Sequence, residues 1–532
     1  MELIFKNAQV LTLNPALPRA ETLVVRDGKV WSVGDRPPAP PVHKRERRII
    51  DCRGKALLPG FIDPHFHLLA FAKSFVTLDL GTGNDIHSFG DLQRTLRDWS
   101  ASRPAGTWIR ARGYHEFDLA EKRHPTRREL DAAVPRHPLI LTHRSGGAQI
   151  LNSPALALLG ITAETEEPPE GLIDRDLKTG EPTGLFYGMG DWLAQRLPLL
   201  ATGQLEAGMR LADQALGAWG ITALHDVSSR NDRSRWELFR DWGQRGLITP
   251  RVTMALGWEG FAAYREDPLL FSPTPRLRLG GVKLIVHETT GRLSPSPAEL
   301  REKVSRIHRA GLPAILHAVE ENAIEAACDA VAWAAARHPG PGPRHRIEHC
   351  SLCPPALARR IASLGIVVVT QPPFLYFNGD RYLQRVPKAQ QSHLYPFRSL
   401  IREGVEIAGS SDGPVVPADP LIGIRAAVTR RTAGGAVLAP EERLAPGEAL
   451  AMYTKGAARA LGEEATQGMI APGRPADLAL LSAEPASVPP EESGVIAVEM
   501  TLVGGKILWE KGRETRRSIR HRLSCRSDRI NA

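Results

Sequence analysis

Two histidines one residue apart end the apolar run L-L-P-G-F-I-D-P-H-F-H at residues 57–67. A strand alternates its side chains with period two, so His65 and His67 project from one face. Two imidazoles on one face at the end of an apolar strand can bind a single metal ion. An isolated H-x-H is more often a surface histidine beside a satisfied core histidine, so the remaining chemistry-bearing residues decide. G-G-V-K-L-I-V-H-E sets Lys283 inside an apolar run, with His287 four residues on and expected on the same face. A-I-L-H-A-V supplies His317, H-R-I-E-H-C supplies His349, and E-I-A-G-S-S-D-G-P supplies Asp412. Singly, each has an ordinary structural role: a strand lysine snorkels, and an aspartate before glycine makes a turn.

The elements that must position these residues follow from periodicity. Eight apolar strand-length segments cover 57–67, 221–227, 250–256, 280–286, 314–319, 345–350, 366–371 and 406–412. From the second onward, helix-like stretches separate them, such as P-A-E-L-R-E-K-V-S-R-I-H-R-A-G at 297–311. Helices with a closing glycine between strands mark parallel β-α units. Eight units predict an α/β fold, a (β/α)8 TIM-type barrel, over residues 56–464. The first connection, about 70–215, is far longer than one helix and is expected to be an inserted subregion. Short alternating runs with Asn-Pro and Asp-Gly turns fill residues 1–55, and the same texture returns at 465–515. Neither end has enough strands to bury a core alone, so both are expected to build one small β-sandwich. On this barrel four histidines, a lysine and an aspartate fall at C-terminal strand ends, the rim where barrel enzymes work.

Composition narrows the class. The 532 residues are 42% hydrophobic and 24% charged, as in a soluble globular protein. No apolar run is long enough for a membrane span, and the N-terminus lacks a signal-peptide pattern, so a cytoplasmic location is expected. The net charge is +9, and residues 511–532 hold eight Lys or Arg against two acids. That stretch has no aromatic residue, unlike a nucleic-acid stripe, and reads as a flexible basic tail over 516–532. Five cysteines make no disulfide framework, and the single C-x-x-C at Cys350 and Cys353 lacks the second pair of a zinc ribbon. The expected partners are a small-molecule substrate and at most a second copy of the chain, with neither nucleic acid nor membrane.

As a set, the motifs resemble those of the amidohydrolase superfamily. Within it the resemblance is to the large amidohydrolases that include N-substituted formamide deformylase-like enzymes. It rests on P-G-F-I-D-P-H-F-H, R-R-E-L-D-A-A-V-P-R-H-P-L, L-N-S-P-A-L, G-E-P-T-G, R-I-E-H-C, S-S-D-G-P-V-V-P-A-D-P-L and G-M-I-A-P-G-R-P-A-D-L-A-L-L. The resemblance implies that His65 and His67 bind a first metal and that Lys283, carboxylated by CO2, bridges two. It implies that His317 and His349 bind a second metal, and that Asp412 binds the first and carries protons. One or two divalent ions, with zinc the default, are therefore expected. The implied activity is hydrolysis of an amide, N-formyl, N-acyl or cyclic amide C–N bond. Deamination of a ring carbon and a non-catalytic binding role are the alternatives. Pocket positions depart from the family pattern. Gly147 stands where relatives have histidine, Gly188 where glutamate is frequent, and His287 with Glu288 where Asp-Gly is common. His287 and Glu288 are expected to contact substrate.

Overall fold

The computed structural model describes residues 2–35, 46–81, 85–168, 171–289, 292–489 and 493–512. The basic tail at 516–532 lies outside them. The chain divides into two compact units, one running to Leu68 and resuming at Ala212, the other spanning Leu69–Leu211.

In the first unit eight strands pair side by side, all parallel. They are Phe61–Phe66, Ile221–Asp226, Arg251–Gly257, Leu277–Ile285, Ala314–Ala318, Arg346–His349, Val367–Thr370 and Ile407–Gly409. The ring closes between the first and last: the Asp412 N–H donates to the His65 carbonyl at 3.0 Å, and the His67 N–H to that of Gly413 at 2.9 Å. This is the expected TIM-type barrel. Helices follow the strands as the sequence implies. Pro297–Arg309, for example, starts where the Ser296 side chain accepts from the Glu299 N–H, with proline in the first turn.

Strands from both ends of the chain form two further sheets. One holds Lys29–Gly34, Thr22–Arg26, Glu2–Lys6 and Arg47–Asp51. The other orders Lys506–Glu510, Val498–Val503, Leu478–Leu481, Ala56–Pro59, Gln9–Leu11 and Arg19–Ala20. Leu3, Phe5 and Leu23 share one apolar core with Leu478, Leu480 and Leu502, the sandwich that neither end could build alone.

Segment 57–67 reads as one strand but is two. Leu58 pairs with Ala479 in the sandwich, whereas Ile62 pairs with Ala223 in the barrel. Gly60 makes the change of sheet: a Cβ there would collide with the Thr222 side chain. The barrel portion thus begins at Phe61, a few residues after the boundary at 56.

The second unit contains a six-stranded mixed sheet ordered Leu172–Arg175, Pro182–Tyr187, Ala148–Leu151, Leu139–His143, Ile109–Tyr114 and Leu78–Asp79. Its core includes Leu92, Leu96, Leu130, Leu141 and Ile150.

Candidate metal centre

Strand ends in the first unit bring the expected donors together. The His65 ring centroid lies 5.5 Å from that of His67 and 4.8 Å from that of His349, and His349 lies 4.4 Å from His317. Asp412 Oδ1 is 3.0 Å from His67 Nε2 and 3.4 Å from His65 Nε2. Lys283 is buried among them, and its charge acts on His65, His317 and His349. Two residues reach this cluster through unusual backbone. His349 (φ 73°) and Asp412 (φ 58°) both adopt the left-handed conformation, which costs a non-glycine residue energy and is concentrated at functional sites. At His349 it breaks the strand alternation, so that consecutive residues Glu348 and His349 both approach His65.

Hydrogen bonds decide which imidazole nitrogen faces inward. His65 Nδ1 meets Glu348 Oε2 at 2.5 Å, His67 Nδ1 meets Ser228 Oγ at 2.9 Å, and His349 Nδ1 meets Gln371 Oε1 at 2.7 Å. A carboxylate and a carbonyl oxygen only accept, so His65 and His349 carry their proton on Nδ1 and keep the Nε2 lone pair for the cluster. In the neutral ring the His65 lone pair then faces the Asp412 carboxylate, an approach that is repulsive unless a proton or a metal ion lies between them. Burial opposes charge on His65, yet the Asp412 and Glu348 carboxylates outweigh it and raise its pKa. Asp412 itself is held well below the ordinary carboxylate range: burial opposes ionisation, but His65 and His67 prevail.

One further atom is unsatisfied. Lys283 Nζ is shielded from solvent without a hydrogen bond among the described residues. Burial pushes the Lys283 ammonium down to about 8 and His349 to about 3, so neutral forms are accessible to both near neutral pH. Imidazole nitrogens turned toward one point, an ionised carboxylate and an unpaired buried amine fit a divalent ion with nitrogen and oxygen ligands.

Several residues that support this geometry were not singled out by sequence spacing. Asp63 accepts from Ser411 Oγ at 2.5 Å and from the His65 N–H at 3.2 Å, tying the first strand to the eighth. Burial pushes its carboxyl up to about 7. Asp226 accepts from the Ser228 N–H and from Asn231 Nδ2, and so fixes the hydroxyl that faces His67. Glu348 and Arg346 did have a signal, two opposite charges at i and i+2 flanking Ile347 in a segment expected to be a barrel strand.

His287 and Glu288 depart from expectation. The fourth barrel strand stops at Ile285, and His287 begins a separate two-stranded hairpin with Arg292–Ser294. It therefore does not share a strand face with Lys283. His287 is half-buried, while Glu288 is exposed and accepts from Asn322 Nδ2 at 2.9 Å.

The second unit holds another histidine cluster, which sequence spacing did not single out. Ligand-type atoms of His115, Glu116 and His143 lie within 4.8 Å of one another. Here Nδ1 plays the opposite part. The Phe117 N–H donates to His115 Nδ1 and the Ser145 N–H to His143 Nδ1, both at 3.1 Å. Both neutral rings then carry the proton on Nε2, and His143 Nε2 lies 2.9 Å from Glu116 Oε2. That suits a carboxylate faced by N–H donors better than a cation.

Comparison with known proteins adds a family match. The model described as "Amidohydrolase family" matches residues 48–509. The chain is 26% identical to the putative amidohydrolase YtcJ of Bacillus subtilis, over 96% of this chain and 100% of that protein. It is 27% identical to the N-substituted formamide deformylase of Arthrobacter pascens, over 96% of this chain and 98% of that one. Among solved structures, an uncharacterized metal-dependent hydrolase from Pyrococcus horikoshii superposes with a TM-score of 0.74 at 23% identity, covering 92% of this chain and 99% of the other.

Proposed function

This chain belongs to the amidohydrolase family, and on that premise we propose a metal-dependent hydrolase of amide-type C–N bonds in a small molecule. N-formyl, N-acyl and cyclic amides are the candidate substrates, and zinc is the candidate metal. One observation carries the reading: His65, His67, Lys283, His317, His349 and Asp412 converge from five strand ends, with Lys283 Nζ buried and without a hydrogen bond. The similarity to a formamide deformylase supports the bond type.

The six residues are assigned as the ligands, with carboxylated Lys283 as a bridge if two ions bind. Carboxylation joins the neutral amine to CO2 and releases a proton, and the buried, unpartnered Nζ suits it. A divalent ion bound there would supply Lewis acidity toward the scissile carbonyl and would lower the pKa of a water toward neutral. The chain's own residues do the rest. Asp412 accepts the proton of the attacking water and returns it to the leaving nitrogen, which departs poorly as an anion. His65 and His349, locked by Glu348 and Gln371, keep their lone pairs aimed inward throughout. His287 and Glu288 are assigned to substrate contact on their polar side chains alone, at the hairpin that follows the fourth barrel strand. The four described cysteines are all free, which suits a reducing compartment, and we place the enzyme in the cytoplasm.

The test is a screen of N-formyl, N-acyl and cyclic amides, with ring amines as the competing class, on zinc-loaded protein. Turnover of an amide that disappears in His65→Ala supports the reading. Release of ammonia from ring amines alone overturns it in favour of deamination.

A further inference from the structure

Below the proposed ligands lies a charged network that their chemistry does not use directly. Arg346 and Glu348 sit two residues apart on the sixth barrel strand, 1% and 0% exposed. Arg346 Nε donates to Glu348 Oε1 at 2.9 Å, and Nη2 to Oε2 at 3.0 Å, a two-point clamp on the carboxylate. The remaining guanidinium hydrogens are also placed. Nη2 donates to the Pro64 carbonyl at 2.8 Å, and Nη1 to His225 Nδ1 at 2.8 Å and the Ala460 carbonyl at 3.2 Å. Arginine offers only donors, so His225 accepts and is neutral on that nitrogen. Room for its ring comes from Gly280, where a Cβ would meet His225 Nε2 at 2.6 Å.

This clamp fixes Glu348 in rotation as well as in charge. The Oε2 atom it holds is the one that receives the His65 Nδ1 hydrogen at 2.5 Å. Of the three proposed ligand histidines whose Nδ1 partner is identified, His67 leans on a hydroxyl and His349 on an amide, while His65 alone leans on a carboxylate. His65 is also the ring that stands between two carboxylates, Glu348 on Nδ1 and Asp412 on Nε2. Because Pro64 takes the same guanidinium, Arg346 grips both the backbone beside His65 and the carboxylate that orients it.

We propose that Glu348 is a positioning residue that sets the tautomer and aim of His65, and that Arg346 is the clamp that keeps it in place. The proposal rests on the reading of His65 as a metal ligand. The competing view is that the buried pair is only part of the barrel core, and many such pairs add little to stability. The two differ in what they do to a bound ion. Removing the carboxylate behind a ligating histidine typically weakens metal binding about 10–100-fold.

Cobalt(II) is the probe, because its visible bands report ligand geometry independently of turnover. Wild type, His65→Ala, Glu348→Gln and Glu348→Asp are titrated with cobalt against a competing chelator. Glu348→Gln is expected to bind about 10–100-fold more weakly with shifted bands. Glu348→Asp, which keeps the charge on a shorter arm, is expected to regain part of the affinity. A folded Glu348→Gln protein with wild-type affinity and spectrum overturns the proposal, as does weaker binding with an unchanged spectrum. If Glu348→Gln does not fold, Glu348→Asp carries the same two criteria. Full cobalt affinity in His65→Ala sinks the ligand assignment itself. Loss there with an unaffected Glu348→Gln sinks only the positioning role.

Discussion

Asp412 and the histidines around it should fail differently when removed. Asn keeps an oxygen near the ligand position but cannot take up a proton, so Asp412→Asn should lower kcat by roughly 10²–10⁴-fold. Its metal content, measured by elemental analysis, should stay above that of His65→Ala. Near-normal turnover in Asp412→Asn would remove it from the proton path. The second histidine cluster makes a contrasting case. With N–H groups aimed at Nδ1 of both His115 and His143, their Nε2 atoms carry hydrogens rather than lone pairs. We expect His143→Ala to leave the metal-to-protein ratio unchanged, and a drop of one ion per chain would refute this. Residue types at strand ends were enough to propose His65, His317, His349 and Asp412 as one cluster, because each lies at or just past the end of a barrel strand. They were not enough to place His287, since the strand breaks two residues earlier. Nor could spacing tell a lone pair from a hydrogen at either cluster, because that depends on partners distant in the chain.

Elements change hands at single residues, and Gly60 is the sharpest case. Gly60→Ala should destabilise the fold by about 1–3 kcal/mol, because the added methyl meets the Thr222 side chain at the crossing between sheets. The double variant Gly60→Ala/Thr222→Ala should recover part of the loss in melting temperature. An undiminished deficit would mean that backbone freedom, and not the contact, requires glycine. Periodicity missed this division because residues 57–66 are buried across both strands, and a buried run carries no mark of which sheet it joins. A second element-level feature ties the fifth and sixth strands together. His345 accepts the Ala314 N–H on Nδ1, its Nε2 faces His308 Nδ1 at 2.9 Å, and burial pushes it down to about 3. Above the ordinary histidine value of about 6.5 neither folded nor unfolded chain is protonated there, so stability is at its full level. As pH falls toward 3 only the unfolded chain takes up the proton, and stability drops by up to about 1.4 kcal/mol per unit. His345→Asn keeps an acceptor for Ala314 without titrating. Its melting temperature should therefore decline less steeply than wild type between about pH 6.5 and 4; parallel slopes would rule His345 out as the cause.

For the whole chain, the β-sandwich makes the two termini interdependent. Val498, Met500, Leu502 and Val503 are all buried, and each apolar side chain contributes about 1.5–3 kcal/mol. Their sum is comparable with the entire stability of a typical domain, about 5–15 kcal/mol. Truncation after residue 497 should thus abolish cooperative melting of the sandwich, although it removes none of the proposed ligands. The shared sandwich was legible from matching strand texture at the two ends, and the barrel from eight apolar segments. The second unit was recognisable only as a long connection, because its mixed sheet joins strands out of chain order. One feature at this scale reaches furthest. The amides that shut the barrel belong to His67 and Asp412, which are also proposed donors to the ion. An ion seated there would act as a latch across the gap between the first and last strands, so chemistry and ring integrity would be read by the same protons. Amide exchange at those two positions should be slow with metal and at least about tenfold faster after chelation, while the amides of Ile315 and Leu316 on the fifth strand, across the barrel from the seam, hardly change. Equal rates with and without metal would show that the ring stays shut by itself.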